Sequence, residues 1–277
     1  MTEFYKSQYT LGARPDPTDP RDFLVSQLQP IHGPTPSVFS LRNEMSPIKN
    51  QAHRSACVAF ATTAVCEVIE RRKRGKVRKW NPYDFSEEWI YQQTMLPGGG
   101  AYIRDAMKVV VNNGVPKEYL MPYRLDLTDA QRVKFIPKRG IARNARHYRP
   151  DVYARLETIR EMEESIFNNG PFVLGLEWQE TWFDQFNMQP QMPTLSVRRT
   201  RYDAGGHAVC IVGYDRNQRV FEMRNSWGPA WGHLGYAYIT YDTVMNLMYD
   251  AWALLQRYAV DGLKLQAAIA RKNREWI

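Results

Sequence analysis

NQAHRSACVAFATTAVCEVIE, residues 50–70, carries two of the three cysteines in a chain of 277 residues. The stretch opens polar. From Ala56 to Arg74 it takes on a helical pattern that is almost wholly apolar in its first half. A helix without a polar face in its first turns belongs inside a protein. Cys57 stands at the mouth of that helix: with Ser55 as N-cap, Ala56 is the first helical residue and Cys57 the second. The positive end of the helix dipole there favours the thiolate, which is the nucleophile. Cys66 lies nine residues on, about 180° around the helix, and faces core. Cys210 follows His207 by three in an alternating strand, points to the opposite face, and reads as a small buried hydrophobe. Only Cys57 has a chemical setting.

Composition narrows the rest. At 44% hydrophobic residues, the chain can bury a full core, as one large domain or two intimate lobes. Three cysteines make no disulfide framework and suit a reducing compartment. The first 22 residues have no apolar segment of the kind a Sec signal needs, so the expectation is a cytoplasmic protein, or one exported without such a signal, into a host cell among the options. No stretch approaches 18 consecutive apolar residues, and no membrane span is read. The net charge of +8 is concentrated in RRKRGKVRK (71–79), in a region from Arg132 to Arg149, and around Arg198, Arg199 and Arg201. Without any nucleic-acid module signature, these patches read as a solvated helix end plus loops, not a nucleic-acid surface.

Residues 1–40 are rich in Pro and Asp, and PDPTDPRD (15–22) cannot be a helix interior. FSEEWIYQQT (85–94), IRDAMKVVVNNG (103–114) and YARLETIREMEESIFNNG (153–170) read as helices, the last two closed by Gly114 and Gly170. PFVLGLEW (171–178), GHAVCIVGY (206–214), VFEMRNSW (220–227) and AYITYDTV (237–244) read as strands. The end, from Ala251 on, reads as a basic helix. Helices followed by strands predict an α+β fold. The boundaries are a leader over 1–40, a main domain over 41–256 and a tail over 257–277.

A thiolate nucleophile needs a base, and the base an orienter. Of His32, His53, His147, His207 and His233, His207 opens an apolar strand, where on that fact alone a satisfied core histidine is the more ordinary reading. The hairpin decides. With its turn centred near Arg216, residues pair when their numbers sum to about 432 or 433, which puts Asn225 beside His207. An Asn carbonyl on one ring nitrogen fixes the tautomer and leaves the other for the thiol. Trp227 and Trp231 are placed to shield that bond. His53, four residues before Cys57, is the rival base, with no orienter in view. No CxxC or HxxxH spacing offers a metal site, and no cofactor is expected.

These blocks together resemble the papain-like cysteine peptidases. Gln51 precedes Cys57 by six residues in PIKNQAHRSACVAFA; GGHAVCIVGYD matches the histidine strand; NSWGPAWGHLGY matches the asparagine block; FSEEWIY and GGGAYIRDAMKVVVNNG match intermediate landmarks. The resemblance spans roughly residues 40–256. It departs at Val58, where the family has an aromatic, and at Arg54, where the family has a disulfide cysteine. The missing disulfides fit a bacterial or intracellular member, and DPRDF fits the short leader of bacterial members. The resemblance implies a two-lobe fold, with a helical lobe built on the nucleophile helix and an antiparallel sheet or barrel in the other lobe. It implies a Cys57–His207–Asn225 triad and an oxyanion hole from the Gln51 amide and the Cys57 N–H. Substrate would lie along Gly99, Gly100, Gly175, Gly205, Gly206, Ala208 and Trp227. Gly175, Gly205 and Ala208 match the family's main specificity pocket; being small, they imply a roomy apolar pocket for a bulky side chain two residues before the scissile bond. The function implied is a cysteine endopeptidase acting on peptide or protein substrates. A deamidase or transglutaminase-like thiol enzyme on the same fold, or a non-catalytic peptide binder, would keep most of these residues.

The leader carries its own expectation. Stiffened by prolines, it is read as an extended strap across the domain that restricts the cleft, with Phe23, Leu24 and Val25 as an apolar anchor and Asp16, Asp19 and Asp22 against basic surface.

Overall fold

The apolar run after Ser55 forms a helix over Cys57–Lys73, and every residue from Cys57 to Glu70 is buried. A computed structural model describes the chain over residues 9–29, 33–73, 83–129, 138–185, 191–197 and 203–256. Its helices are α1 (Val25–Leu28), α2 (Cys57–Lys73), α3 (Glu87–Thr94), α4 (Ile103–Asn112), α5 (Arg139–Ala145), α6 (Ile159–Asn168) and α7 (Tyr241–Leu247). Its strands are β1 (Ala13–Arg14), β2 (Val38–Ser40), β3 (Ala101–Tyr102), β4 (Val152–Arg155), β5 (Phe172–Gln179), β6 (Thr194–Leu195), β7 (Asp203–Asp215), β8 (Val220–Arg224), β9 (Tyr236–Thr240) and β10 (Met248–Leu255). Eight strands make one sheet in the order β4-β10-β5-β7-β8-β9-β6, with β2 added on β7. Every pairing in it is antiparallel except β6 with β9. Helices and sheet give the expected α+β, two-lobe architecture.

Two apolar clusters divide the molecule. One gathers Phe172, Trp178, Phe221, Trp227 and Trp231 on one side of the sheet. The other gathers α2, α3 and α4 with the opposite face of β7, including Cys210 and Val212. Helix α2 runs along the seam, so its polar residues are buried and must be paired. Glu67, 1% exposed, takes the Ser46 hydroxyl, the Phe85 N–H at 3.1 Å and Lys49 Nζ at 3.2 Å. Lys49 also reaches Glu87 at 2.7 Å. A buried, mutually paired cluster therefore pins α2 to α3 and to the chain leading into Gln51.

Four local expectations are corrected. Residues 153–170 are not one helix: Val152–Arg155 alternates buried and half-buried positions as β4, and α6 starts only after Thr158, whose side chain and Glu161 form a reciprocal N-terminal cap. Residues 237–244 are not one strand, because Thr240 accepts from the Thr243 N–H and starts α7. The end read as helical begins as a strand, β10, wedged between β4 and β5. The nucleophile helix begins one residue late: Ala56 C=O accepts the first helical bond, from Phe60 N–H, while the Ser55 N–H goes to Asp129 Oδ2 at 2.9 Å. The basic positions at 74–79, 132–137, 198, 199 and 201, His32, and the tail at 257–277 lie outside the described residues. Among the described residues no helix is long and apolar enough to cross a membrane, and no group of His, Cys, Asp or Glu is arranged to hold a metal.

The Lys49 cluster predicts a stability effect. Lys49→Met leaves Glu67 and Glu87 buried without their cation and is expected to cost on the order of 3 kcal/mol in denaturant unfolding, part of it recovered by adding Glu87→Gln. A loss within about 0.5 kcal/mol, the range of an ordinary surface change, would mean the cluster does not pin the seam.

Candidate active site

Cys57 lies at the seam, fully buried, at the start of α2. His207 lies near the start of the long strand β7, also fully buried, and Ala208 N–H points at the Cys57 sulfur. His207 Nε2 meets Asn225 Oδ1 at 2.8 Å, while His207 Nδ1 has no hydrogen-bond partner. The histidine and asparagine thus come together, though by a different path from the one expected. The β7–β8 ladder pairs Cys210 with Arg224 and Asp215 with Val220, sums of 434 and 435. The turn is displaced because Asp215 Oδ1 accepts from the N–H groups of both Asn217 and Gln218, and a bulge interrupts the ladder between Ile211 and Gly213. Strand β8 ends at Arg224, and Asn225 reaches His207 diagonally with its own N–H on Gly235. That register leaves Trp227 opposite the imidazole, with ring centroids 4.6 Å apart. Trp178 stands edge-on to the same ring at 4.9 Å, and Trp231 packs on Trp227 at 5.9 Å. The shield therefore has three indoles, of which Trp178 was not foreseen. Nothing in strand β5 marked it out as more than core.

Gln51 is fully buried and held at both ends of its amide. Its Oε1 accepts from Ser226 Oγ at 2.6 Å; its Nε2 donates to Arg54 O at 2.9 Å and to Thr10 O at 2.8 Å. Ser226 sits beside Asn225 in NSW, yet its role depends on a contact across the seam that spacing cannot show. His53, by contrast, is exposed and meets Leu127 O at 3.2 Å.

Thr10 belongs to the leader, and the leader lies in the cleft. Tyr9 stacks on Trp227 at 4.8 Å. Gly12 N–H donates to Gly206 O at 3.0 Å, and Gly12 O accepts from Ala101 N–H at 2.8 Å. Ala13 and Arg14 then pair in parallel with Ala101 and Tyr102, β1 on β3. The approach is so close that a Cβ on Gly100 would strike Gly12 O, one on Gly206 would strike Ala13 O, and one on Gly12 would strike the Ser55 carbonyl. Gly100 also needs its positive φ of 80°, so no other residue fits there without strain. Gly99 packs against Asp129 rather than the leader, a Cβ there meeting Asp129 Oδ2 at 2.7 Å.

Beyond the cleft, Asp16 accepts from the indole of Trp252 at 2.8 Å, and Asp22 pairs with Arg104 at 2.8 Å. Asp19 pairs with Arg21 of the leader itself, not with the domain. Phe23 packs on the sheet-side cluster, its carbonyl taking Arg155 N–H at 2.7 Å, and Val25 is buried in α1.

The space beside the expected pocket positions is occupied among the described residues. Gly175, Gly205 and Ala208 are small, but Tyr249 fills the space: a Cβ on Gly175 would meet its ring at 2.7 Å, and one on Gly206 its hydroxyl at 2.6 Å. Gly205 instead faces Leu11 of the leader, 3.5 Å from such a Cβ. Tyr249 lies on β10, just before the stretch read as helix and in a segment assigned to no element, so its approach to these glycines was hidden.

Burial decides the protonation states in this closed arrangement. It pushes the Cys57 thiol up to about 11, against the pull of N–H groups from Ala208, Val58 and Gly12. It pushes His207 down to about 4, against the hydrogen bond to Asn225. At neutral pH the pair is thiol and imidazole, both uncharged.

Comparison with known proteins agrees with this geometry. Residues 35–253 match the model of the papain family cysteine proteases. Cysteine proteinase 3 of Entamoeba histolytica is 27% identical over 213 residues, covering 75% of this chain and 64% of that protein. Chicken cathepsin K is 26% identical over 204 residues, covering 69% of this chain and 54% of its own length. The chain thus spans about half to two thirds of these relatives. Xylellain, a cysteine protease from Xylella fastidiosa, superposes with a TM-score of 0.73 at 25% identity, over 89% of this chain and 96% of its own. The chain belongs to the papain family of cysteine proteases.

Proposed function

We propose that the chain is a cysteine peptidase whose cleft is closed by its own leader, with residues 1–40 as strap and 41–256 as the catalytic domain. The observation that carries the catalytic part is the His207–Asn225 hydrogen bond, which leaves Nδ1 as the only ring nitrogen open to Cys57. In the reaction, Nδ1 takes the thiol proton and the sulfur attacks the scissile carbonyl carbon. The resulting oxyanion is held by one Nε2–H of Gln51 and the Cys57 N–H. Collapse breaks the C–N bond while Nδ1–H protonates the leaving amine. Water, deprotonated by Nδ1, then cleaves the thioester and regenerates the thiol.

The leader occupies these same groups. Thr10 C=O takes the Gln51 proton meant for the oxyanion, and Tyr9 covers Trp227. By the resemblance, residues preceding a scissile carbonyl lie toward Gly100 and Gly205. Here the residues following Thr10 lie there, Leu11 on Gly205 and Gly12 on Gly100. The strap runs opposite to a substrate, so it binds without offering a bond to cut.

Three outcomes are expected. His207→Ala abolishes turnover of a peptide substrate by at least about a thousandfold, while His53→Ala stays within about twofold; near-normal turnover in His207→Ala would sink the assignment. Gly12→Leu, whose side chain has no room beside Ser55, expels the strap and raises kcat/KM by about tenfold or more; an unchanged value removes the strap from any inhibitory role. The third concerns pH. A thiol raised to about 11 stays protonated through the range where an ordinary thiol, near 8.5, ionises. Iodoacetamide alkylation of Cys57 in the full chain should therefore rise only toward pH 11, and in Gly12→Leu the rise should move to lower pH. Superimposable profiles would contradict desolvation by the strap.

A further inference from the structure

Arg54 is 1% exposed, three residues before Cys57, in the turn that carries Gln51. Its guanidinium makes a two-point pair with Glu88, Nη1 to Oε2 at 2.5 Å and Nη2 to Oε1 at 3.2 Å, and Glu88 is itself 2% exposed. Nη1 also donates to Arg124 O at 2.8 Å, and Arg124 N–H returns to Glu88 Oε2 at 3.1 Å. The cation lies against two tyrosine rings, Tyr91 and Tyr123, each 4.9 Å away. Both tyrosines continue into the active-site turn. Tyr123 Oη donates to Gln51 O at 2.9 Å, and Tyr91 Oη donates to Asp129 Oδ1 at 2.7 Å, whose other oxygen takes the Ser55 N–H. The turn closes on itself where Gln51 Nε2 donates to Arg54 O.

A buried ion pair contributes little net stability, because desolvation offsets its attraction, so a planar two-point pair here is better explained by what it aligns. Gln51 Nε2 has two protons. Arg54 O fixes one of them, and the other then points into the cleft, where it meets Thr10 O. Ser226 holds the amide oxygen from the far lobe, and within the helical lobe Arg54 O completes the setting of the free N–H.

We propose that Arg54 is a positioning residue for oxyanion stabilisation: its pair with Glu88 holds its own carbonyl where it aims the Gln51 amide at the reacting carbonyl. This rests on the reading of Gln51 as oxyanion donor. At the position where the resemblance expects a covalent cross-link, alignment is here done by an ion pair and cation–ring contacts, which a reductant leaves intact.

The test uses the full chain and the double substitution Arg54→Met/Glu88→Leu, which removes both charges together and strands neither. The first readout needs no open cleft. The Gln51 side-chain amide protons, followed by nitrogen-edited NMR, are expected to shift and to exchange about tenfold faster or more in the double variant; unchanged resonances and exchange overturn the proposal. The second readout is turnover in full chain that also carries Gly12→Leu. There the double variant should lower kcat about tenfold or more with KM within about twofold, while iodoacetamide alkylation of Cys57, which forms no oxyanion, stays within about twofold. In a Gln51→Ala background the same pair of changes should alter kcat by less than about twofold. An equal fall in both backgrounds overturns the proposal, since Arg54 would then act other than through Gln51. Should the double variant fail to fold, Arg54→Lys keeps the charge without the fork and is read by the same amide signals with the same criteria. Full turnover in Gln51→Ala would remove the oxyanion reading and this inference together. Reduced turnover in Gln51→Ala with normal turnover in the Arg54 variants would remove this inference alone.

Discussion

The start of α2 is fixed at the seam between two apolar clusters, and this one constraint gathers the site. Because every residue from Cys57 to Glu70 is buried, the helix cannot rotate or slide without exposing core or stranding Glu67. Its first turn therefore opens at the one line where both lobes can reach it. The sheet lobe sends His207 from β7 and Asn225 from the end of β8; the helical lobe sends Gln51 and the turn around Arg54. Beside the apolar packing of α2 on β7, specific polar contacts cross the line: Gln51 with Ser226, and Arg224 with the carbonyls of Ser46 and Pro47. Apolar packing alone would hold the lobes together but would leave the relative placement of His207 and Gln51 loosely defined.

The strap exploits the same polar seam. It makes main-chain contacts with Gly206, Ala101 and Gln51, which any extended chain can make. Burial raises the thiol and lowers the imidazole, so with the leader in place both groups are uncharged at neutral pH. The anchors lie outside the cleft, at Asp16 with Trp252 and at Asp22 with Arg104. Contacts in the cleft and anchoring contacts outside it are thus made by different residues of the leader.

What was legible in the sequence was local chemistry. The polar-to-apolar switch at Ala56, the six-residue interval from Gln51, and the glycine-flanked His207 each encode their surroundings within a few residues. Asn225 was reached by a register that was two units off, and it still meets His207 because a side chain leaving the end of a strand can cross a diagonal. What depended on the return path of the chain was not legible. Val152–Arg155 and Met248–Leu255 are short apolar runs next to helical patterns, and periodicity alone cannot separate strand from helix at that length. Once those strands were missed, neither the central place of β10 nor the contacts it delivers could be foreseen.

Tyr249 shows how that omission spread to function. Glycines at a cleft record that something passes close to the backbone, but not whether it is a ligand, another segment or a neighbouring side chain. Gly175 makes room for the Tyr249 ring, Gly100 for the leader backbone, and Gly206 for both, with the tyrosine hydroxyl on one side and Ala13 O on the other. The Tyr249 hydroxyl is buried there without a hydrogen-bond partner. A buried hydroxyl left unpaired costs free energy that a purely apolar wall would not. This arrangement therefore carries a polar group whose need is unmet. The pocket that smallness alone described as apolar is, in this molecule, floored by a phenol.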